Sequence, residues 1–195
     1  MIQKATHINI KDYSSQFLWD LRIKTLILVL TIIFPFSVMA DKSKELQIGD
    51  QIPVFQLQNQ DGELINIKDF VGKQNLVIYF YPKDDTPGCT KQACSFRDQY
   101  EDFNDLNAEV FGISGQSVSS HKEFAKKHKL NFNLLCDVNN TVRKQFGVPT
   151  NFFGLLPGRV TYVVDRSGKI VHIFNSQFRA EEHIEQAKNI LKQLE

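Results

Sequence analysis

The chain has 195 residues, 42% hydrophobic and 23% charged, with a formal net charge of +1. These are the proportions of an ordinary globular protein, long enough to bury one core without disulfide staples. The balance of charge excludes a basic nucleic-acid binder and a protein held on an anionic membrane surface.

Residues 1–40 differ from the rest. Arg22 and Lys24 precede an apolar run over residues 26–36, and Val38-Met39-Ala40 follows. That is the layout of a secretory signal. The uncharged stretch is 16 residues long, and a spanning helix needs about 20. The expectation is a cleaved signal peptide, or a short membrane anchor if the leader is retained, with the protein in the periplasm or another extracytoplasmic compartment. Asp12 and Asp20 weigh against an acid-poor transit peptide. The leader takes four Lys/Arg and two acids, which leaves 19 basic and 20 acidic side chains in residues 41–195.

The remainder, residues 45–195, is expected to form one domain. Residues 46–58 are extended, and "NQDGE" turns the chain into "LINI". "NLVIYFY" (75–81) is an almost unbroken apolar run of β-formers, the pattern of a central strand buried on both faces. A helix follows, with Thr86 as its cap, Pro87 at its first position, and Phe96, Tyr100 and Phe103 on one face. "EVFGIS" is a strand, "SVSSHKEFAKKHKL" a Ser-capped helix, and "NLLCD" a short strand. "VNNTVRKQFG" is a short helix stopped by Gly147, and "PTNFFGLLPG" a loop. "RVTYVVDRSGKIVHIFN" is a hairpin around Ser-Gly, and "AEEHIEQAKNILKQLE" an amphipathic helix. Strands alternate with helices and a hairpin comes late, so the fold class is α/β with a mixed sheet.

The three cysteines, Cys89, Cys94 and Cys136, form no even disulfide framework. Cys89 lies in the first turn of its helix, where unpaired N–H groups and the positive dipole end favour an anion such as a thiolate. Gly88 allows close approach of a small substrate, and Thr86 offers a hydroxyl on the same turn. The polar, Gly/Pro-rich surroundings speak against the alternative, an inert buried thiol. Cys94 is five residues on, a rise of roughly 7.5 Å and a turn of about 140° along a helix. Disulfide geometry asks for Cα atoms within about 7 Å, so the pair cannot bridge an intact helix. A transient bond is open to it if the first turns unwind, as for a nucleophilic cysteine and its resolving partner. The alternative is that Cys94 is an unrelated core thiol.

"YPKDDTPGCTKQAC" resembles the peroxiredoxin motif P-x-x-x-T-x-x-C, carried here by Pro82, Thr86 and Cys89. A second cysteine five residues on is characteristic of the bacterioferritin-comigratory-protein, or peroxiredoxin Q, branch. "FGLLPGRVTYVVDRSGKIVHIFNSQF" is similar to the matching segment of plant-type and cyanobacterial peroxiredoxin Q. The likeness runs from about residue 49 to the end and leaves the leader out. It implies a thioredoxin-like fold and a thiol peroxidase acting on a peroxide substrate. On the matching positions Cys89 is peroxidatic and Cys94 resolving, Thr86 bonds thiolate and peroxide, Pro82 shields the site, and Arg159 supplies the cation. The implied reductant is thioredoxin or a similar dithiol. No cofactor is implied, and intramolecular resolution lets a monomer suffice.

The rival to Arg159 is Arg97, one turn beyond Cys94. Cys136 reads as a packed core thiol in its strand. His121, His128, His172 and His183 show no metal-ligand spacing with the cysteines, so no metal is expected. Lys122, Lys126 and Lys129 read as a solvated helix face. Two other functions remain: an exported thiol–disulfide oxidoreductase, which would normally carry C-x-x-C, and a redox-regulated binding or holdase module without turnover.

Overall fold

The computed structural model describes residues 45–151 and 154–194. The predicted leader over residues 1–40 lies outside them. β1 (Gln56–Gln58) and β2 (Leu64–Asn66) pair as the expected antiparallel hairpin, and Gly62 turns it at φ 84°, a conformation that suits glycine.

β3 (Asn75–Phe80) is buried at every position. Val77 and Tyr79 enter one apolar cluster, while Leu76, Ile78 and Phe80 enter another. Alternate side chains of a strand point to opposite faces, and both faces here are covered, which is why the run reads as continuously apolar. β4 (Ala108–Ser114) and β5 (Asn133–Cys136) extend the sheet in parallel on one side of β3. β8 (Val160–Val164) and β9 (Ile170–Asn175) extend it antiparallel on the other. The order β5-β4-β3-β8-β9 makes a mixed five-stranded sheet. In the segment between, read as loop, β6 (Thr150–Asn151) and β7 (Leu156–Pro157) pair over two residues each.

Helices α1 (Pro87–Asp98), α2 (Tyr100–Asp105), α3 (Val118–His128) and α5 (Glu182–Leu191) put Cys89, Phe96, Phe103, Phe124 and Ile184 into the first cluster. Helix α4 (Thr141–Gln145) and the N-terminal segment put Val142, Phe146 and Phe55 into the second. The sheet is thus sandwiched between helices on one face and a thinner layer on the other. α1 and α2 correspond to one predicted helix. Gln99, at φ −115° and ψ 15°, breaks it, but Phe96, Tyr100 and Phe103 still face the same cluster on both sides. The apolar periodicity therefore continued through a backbone break that it could not reveal.

Candidate active site

The C-terminal end of β3 feeds a short loop, residues 81–86, which delivers the chain to α1. Pro87 takes the first helical position, where its fixed φ and missing N–H cost nothing. Cys89 follows in the first turn, 2% exposed and part of the core cluster. Thr86 sits at the N-cap with extended backbone, and its carbonyl accepts from Thr90 N at 2.8 Å. Its hydroxyl departs from the expectation. It makes no capping bond to the helix and donates instead to the Lys83 carbonyl at 3.1 Å. The first-turn N–H groups beside Cys89 are thus left without a side-chain cap, and the positive end of the helix stays aimed at the sulfur. Thr86 and Pro82 are both half-buried at the mouth of this turn.

Arg159, just before β8, is 3% exposed. Its Nη2 donates to Cys89 Sγ at 3.3 Å, its Nη1 to Gln92 Oε1 at 2.6 Å and its Nε to the Gln177 carbonyl at 3.1 Å. Arg159 is thus a buried cation with every side-chain nitrogen engaged. Gln92 was not foreseen. It lies three residues after Cys89 on the same helical face, which was the available signal, and it is fully buried. A Cβ at Gly88 would lie 3.1 Å from Arg159 Nη2, a tight contact that would press on the guanidinium. Arg97 is engaged elsewhere: it pairs with Asp98 at 2.7 Å and donates to the His128 carbonyl. The Asp98 carboxylate, and secondarily Cys94, raise its pKa.

The loop before α1 is held by α3. Asp84, 6% exposed, accepts from Tyr81 Oη at 2.7 Å and Ser120 Oγ at 2.6 Å, and its Oδ2 lies 2.9 Å from His121 Nδ1. Burial pushes the Asp84 carboxyl up, but His121, Ser120 and Tyr81 together outweigh it and hold the group below the usual carboxylate range. His121 is fully buried and turns its Nε2 to the Leu135 carbonyl at 3.3 Å. Asp85 adopts a left-handed φ of 55° and meets Lys127 Nζ and His128 Nε2, both at 2.9 Å. The sequence reading missed this Asp-Asp clamp. The adjacency of two acids ahead of the motif threonine was visible, but their partners lie about forty residues away.

Cys94 is half-buried, on the same unbroken helix as Cys89, and all three cysteines are free. Cys136 is 8% exposed in β5, its thiol pushed up to about 11 by burial and then by Asp84. That suits a packed, unreactive thiol. Among the described residues no three His, Cys, Asp or Glu side chains converge as metal ligands. The arrangement can do one kind of chemistry directly. A buried sulfur at a helix N-terminus, touched by a fixed guanidinium, is set to act as a nucleophile on a group that develops negative charge.

Residues 48–173 match the AhpC/TSA family. The chain belongs to that family. Among curated relatives it is 53% identical over 146 residues to the putative chloroplastic peroxiredoxin Q of Oryza sativa subsp. indica, covering 75% of this chain and 67% of that protein. It is 49% identical over 162 residues to chloroplastic peroxiredoxin Q of Suaeda salsa, covering 83% and 75%. Among solved structures, peroxidoxin BcpB from Mycobacterium tuberculosis matches with a TM-score of 0.72 at 33% identity, over 77% of this chain and 99% of that one. PrxQ from Xylella fastidiosa, solved as a cysteine-to-serine mutant, matches with a TM-score of 0.71 at 29% identity, over 77% and 98%. The chain is accordingly a peroxiredoxin of the Q branch, a thiol peroxidase on a thioredoxin-like fold.

These relatives correct one expectation. The Oryza, Suaeda and Arabidopsis thaliana proteins are named chloroplastic, which points to an organelle and overturns export to a periplasm or anchoring in a membrane. The export reading rested on a basic pair ahead of an apolar run, a pattern of length and charge alone.

Proposed function

We propose that this peroxiredoxin runs an intramolecular two-cysteine cycle. The Cys89 thiolate attacks the terminal oxygen of hydrogen peroxide or a small alkyl hydroperoxide. A sulfur–oxygen bond forms, the O–O bond breaks, and water or alcohol leaves after taking up a proton. Arg159 stabilises the thiolate and the charge that grows on the departing oxygen, Thr86 and the helix N-terminus orient the peroxide, and Pro82 shields the sulfenic acid from bulk water. Cys94 then displaces hydroxide from the Cys89 sulfenic acid, releasing water and leaving a Cys89–Cys94 disulfide. An external dithiol, thioredoxin or a close equivalent, reduces that bond by exchange. Sulfur carries both electrons, so the cycle calls for no cofactor. The chloroplastic relatives support an organelle as its place of action.

The observation that carries this reading is the 3.3 Å approach of Arg159 Nη2 to a buried Cys89 Sγ in the first turn of α1. Steady-state consumption of hydrogen peroxide and tert-butyl hydroperoxide, with thioredoxin, glutaredoxin and dithiothreitol in parallel, tests it. Turnover with a dithiol, lost in Cys89→Ser, is the expected result. Disulfide exchange with protein substrates but no peroxide consumption would instead mark an oxidoreductase.

A further inference from the structure

Arg143 lies in α4, outside the peroxiredoxin motif, yet its side chain reaches the catalytic end of the sheet. It is 5% exposed. Nη2 donates to the Tyr81 carbonyl at 2.9 Å and Nη1 to the Gly158 carbonyl at 3.0 Å. Tyr81 opens the loop that leads to Cys89, and Gly158 immediately precedes Arg159. A single guanidinium therefore ties together the two chain segments that bring the sulfur and its cation into contact. The brace is itself fixed. The Phe80 ring lies 5.4 Å from the guanidinium carbon, and the Arg143 backbone N–H donates to Asp137 Oδ2 at 2.8 Å.

The chemistry of these bonds is specific to arginine. A planar fork can serve two carbonyls at once in fixed directions, whereas an ammonium group has no such plane. Both side-chain bonds go to neutral carbonyls, so no direct carboxylate contact cancels the charge. Burial pushes the Arg143 pKa down to about 10, while Asp137, Tyr162 and Cys89 act to raise it. The group therefore stays cationic at neutral pH.

We propose that Arg143 is a positioning residue for the peroxidase reaction, bracing the loop ahead of Cys89 against the start of the Arg159 strand. This rests on Cys89 being the reacting sulfur. The competing role is that of a plain core brace, which would affect melting and nothing else.

Two substitutions test it. Arg143→Lys keeps a cation and gives up the fork, and Arg143→Met gives up both. Two rates are read on folded protein in stopped flow: oxidation by hydrogen peroxide, and alkylation by iodoacetamide mapped to Cys89 by mass spectrometry. Alkylation needs the thiolate but not the peroxide geometry. In Arg143→Lys, oxidation should slow roughly tenfold or more, since small misplacements of reacting groups have large effects on rate, while alkylation stays near wild type. In Arg143→Met, which also lacks the fork, oxidation should slow at least as much. Wild-type oxidation by the Lys variant overturns the proposal, as does a loss of both rates that merely tracks the unfolded fraction. Should the Met variant fail to fold, the ratio of the two rates in the Lys variant decides the matter. A Cys89→Ser control that retained peroxide turnover would remove the underlying reading itself, an outcome distinct from any result at Arg143.

Discussion

Arg159 Nη2 touches the Cys89 sulfur at 3.3 Å although seventy residues separate them in the chain. The sheet register accounts for the meeting. β3 and β8 are antiparallel neighbours with Phe80 opposite Val160, so the end of one strand and the start of the other reach the same edge. The residue after β3 leads to Cys89, and the residue before β8 is Arg159.

Removing that cation should affect chemistry before stability. Arg159→Ala is expected to lower the second-order rate of oxidation by hydrogen peroxide by about 10²–10³, the usual effect of losing one donor to a developing oxyanion. Stability should fall by about 1–3 kcal/mol, because buried Gln92 Oε1 loses its donor. Stopped-flow oxidation and urea melts on the same preparation check both. An unchanged rate would take the role from Arg159.

The cysteines should separate cleanly. Cys89→Ser should abolish peroxide reduction, and Cys136→Ser should leave it near wild type, since burial holds the Cys136 thiol at about 11 and away from reaction. Cys94→Ser should still form one sulfenic acid per chain and then stall, or turn over on an external thiol. Mass spectrometry after one equivalent of peroxide, with a sulfenic-acid trap, distinguishes these products. Normal disulfide formation in Cys94→Ser would point to another resolving thiol.

The protein should lose stability as the pH falls from about 6.5 toward 4, and His183 is a main reason. It is fully buried, with Nδ1 2.8 Å from Thr161 Oγ1 and Nε2 donating to the Ser176 carbonyl at 2.9 Å. Burial lowers its pKa to about 4. Above about 6.5 neither state binds the proton; between there and 4 only the unfolded chain does, so stability drops, by roughly 2–3 kcal/mol at the lower end. His172, lowered by burial as well, acts in the same direction. Urea melts of wild type and His183→Gln at pH 7 and 4.5 test this. The glutamine does not titrate in this range, and its smaller pH loss is the expected outcome.

Local pattern made the helix start at Pro87 and Cys89 and the doubly covered strand over residues 75–81 legible in the sequence. The choice of Arg159, which the structure puts against Cys89, came from the peroxiredoxin resemblance, as did Pro82 and Thr86. What stayed hidden depends on strand register. Gln92 reads as a surface helix residue until β8 places Arg159 above it. Asp84 and His121 read as separate polar residues until β4 and α3 bring them within 2.9 Å. Arg143 looks like one more charge in "TVRKQ", because nothing local says that two distant carbonyls face it. Thr86 shows the opposite failure: its identity fitted a cap, but its hydroxyl bonds backward to Lys83.

The spacing of Cys89 and Cys94 sets the last prediction. Both lie on the unbroken helix α1, Pro87–Asp98, about 140° and roughly 7.5 Å apart along it. Joining them must unwind the first turns. α1 is tethered on its exposed side by the Lys91–Glu181 pair at 2.8 Å, a surface contact worth under about 1 kcal/mol, and near its end by Arg97 on the His128 carbonyl. Unwinding should therefore pass through residues 87–93 and stop at the last turn. It also pulls Cys89 away from Arg159 and Ala93 out of the core, so the oxidised protein should melt below the reduced one unless the new loop constrains the unfolded chain enough to offset the loss. Exchange mass spectrometry on the two forms is the measurement. Amides of residues 89–96 should exchange faster after oxidation, while those of β3 stay protected. Equal protection of residues 87–96 in both forms would rule out the intrahelical disulfide and take from Cys94 its place in the cycle.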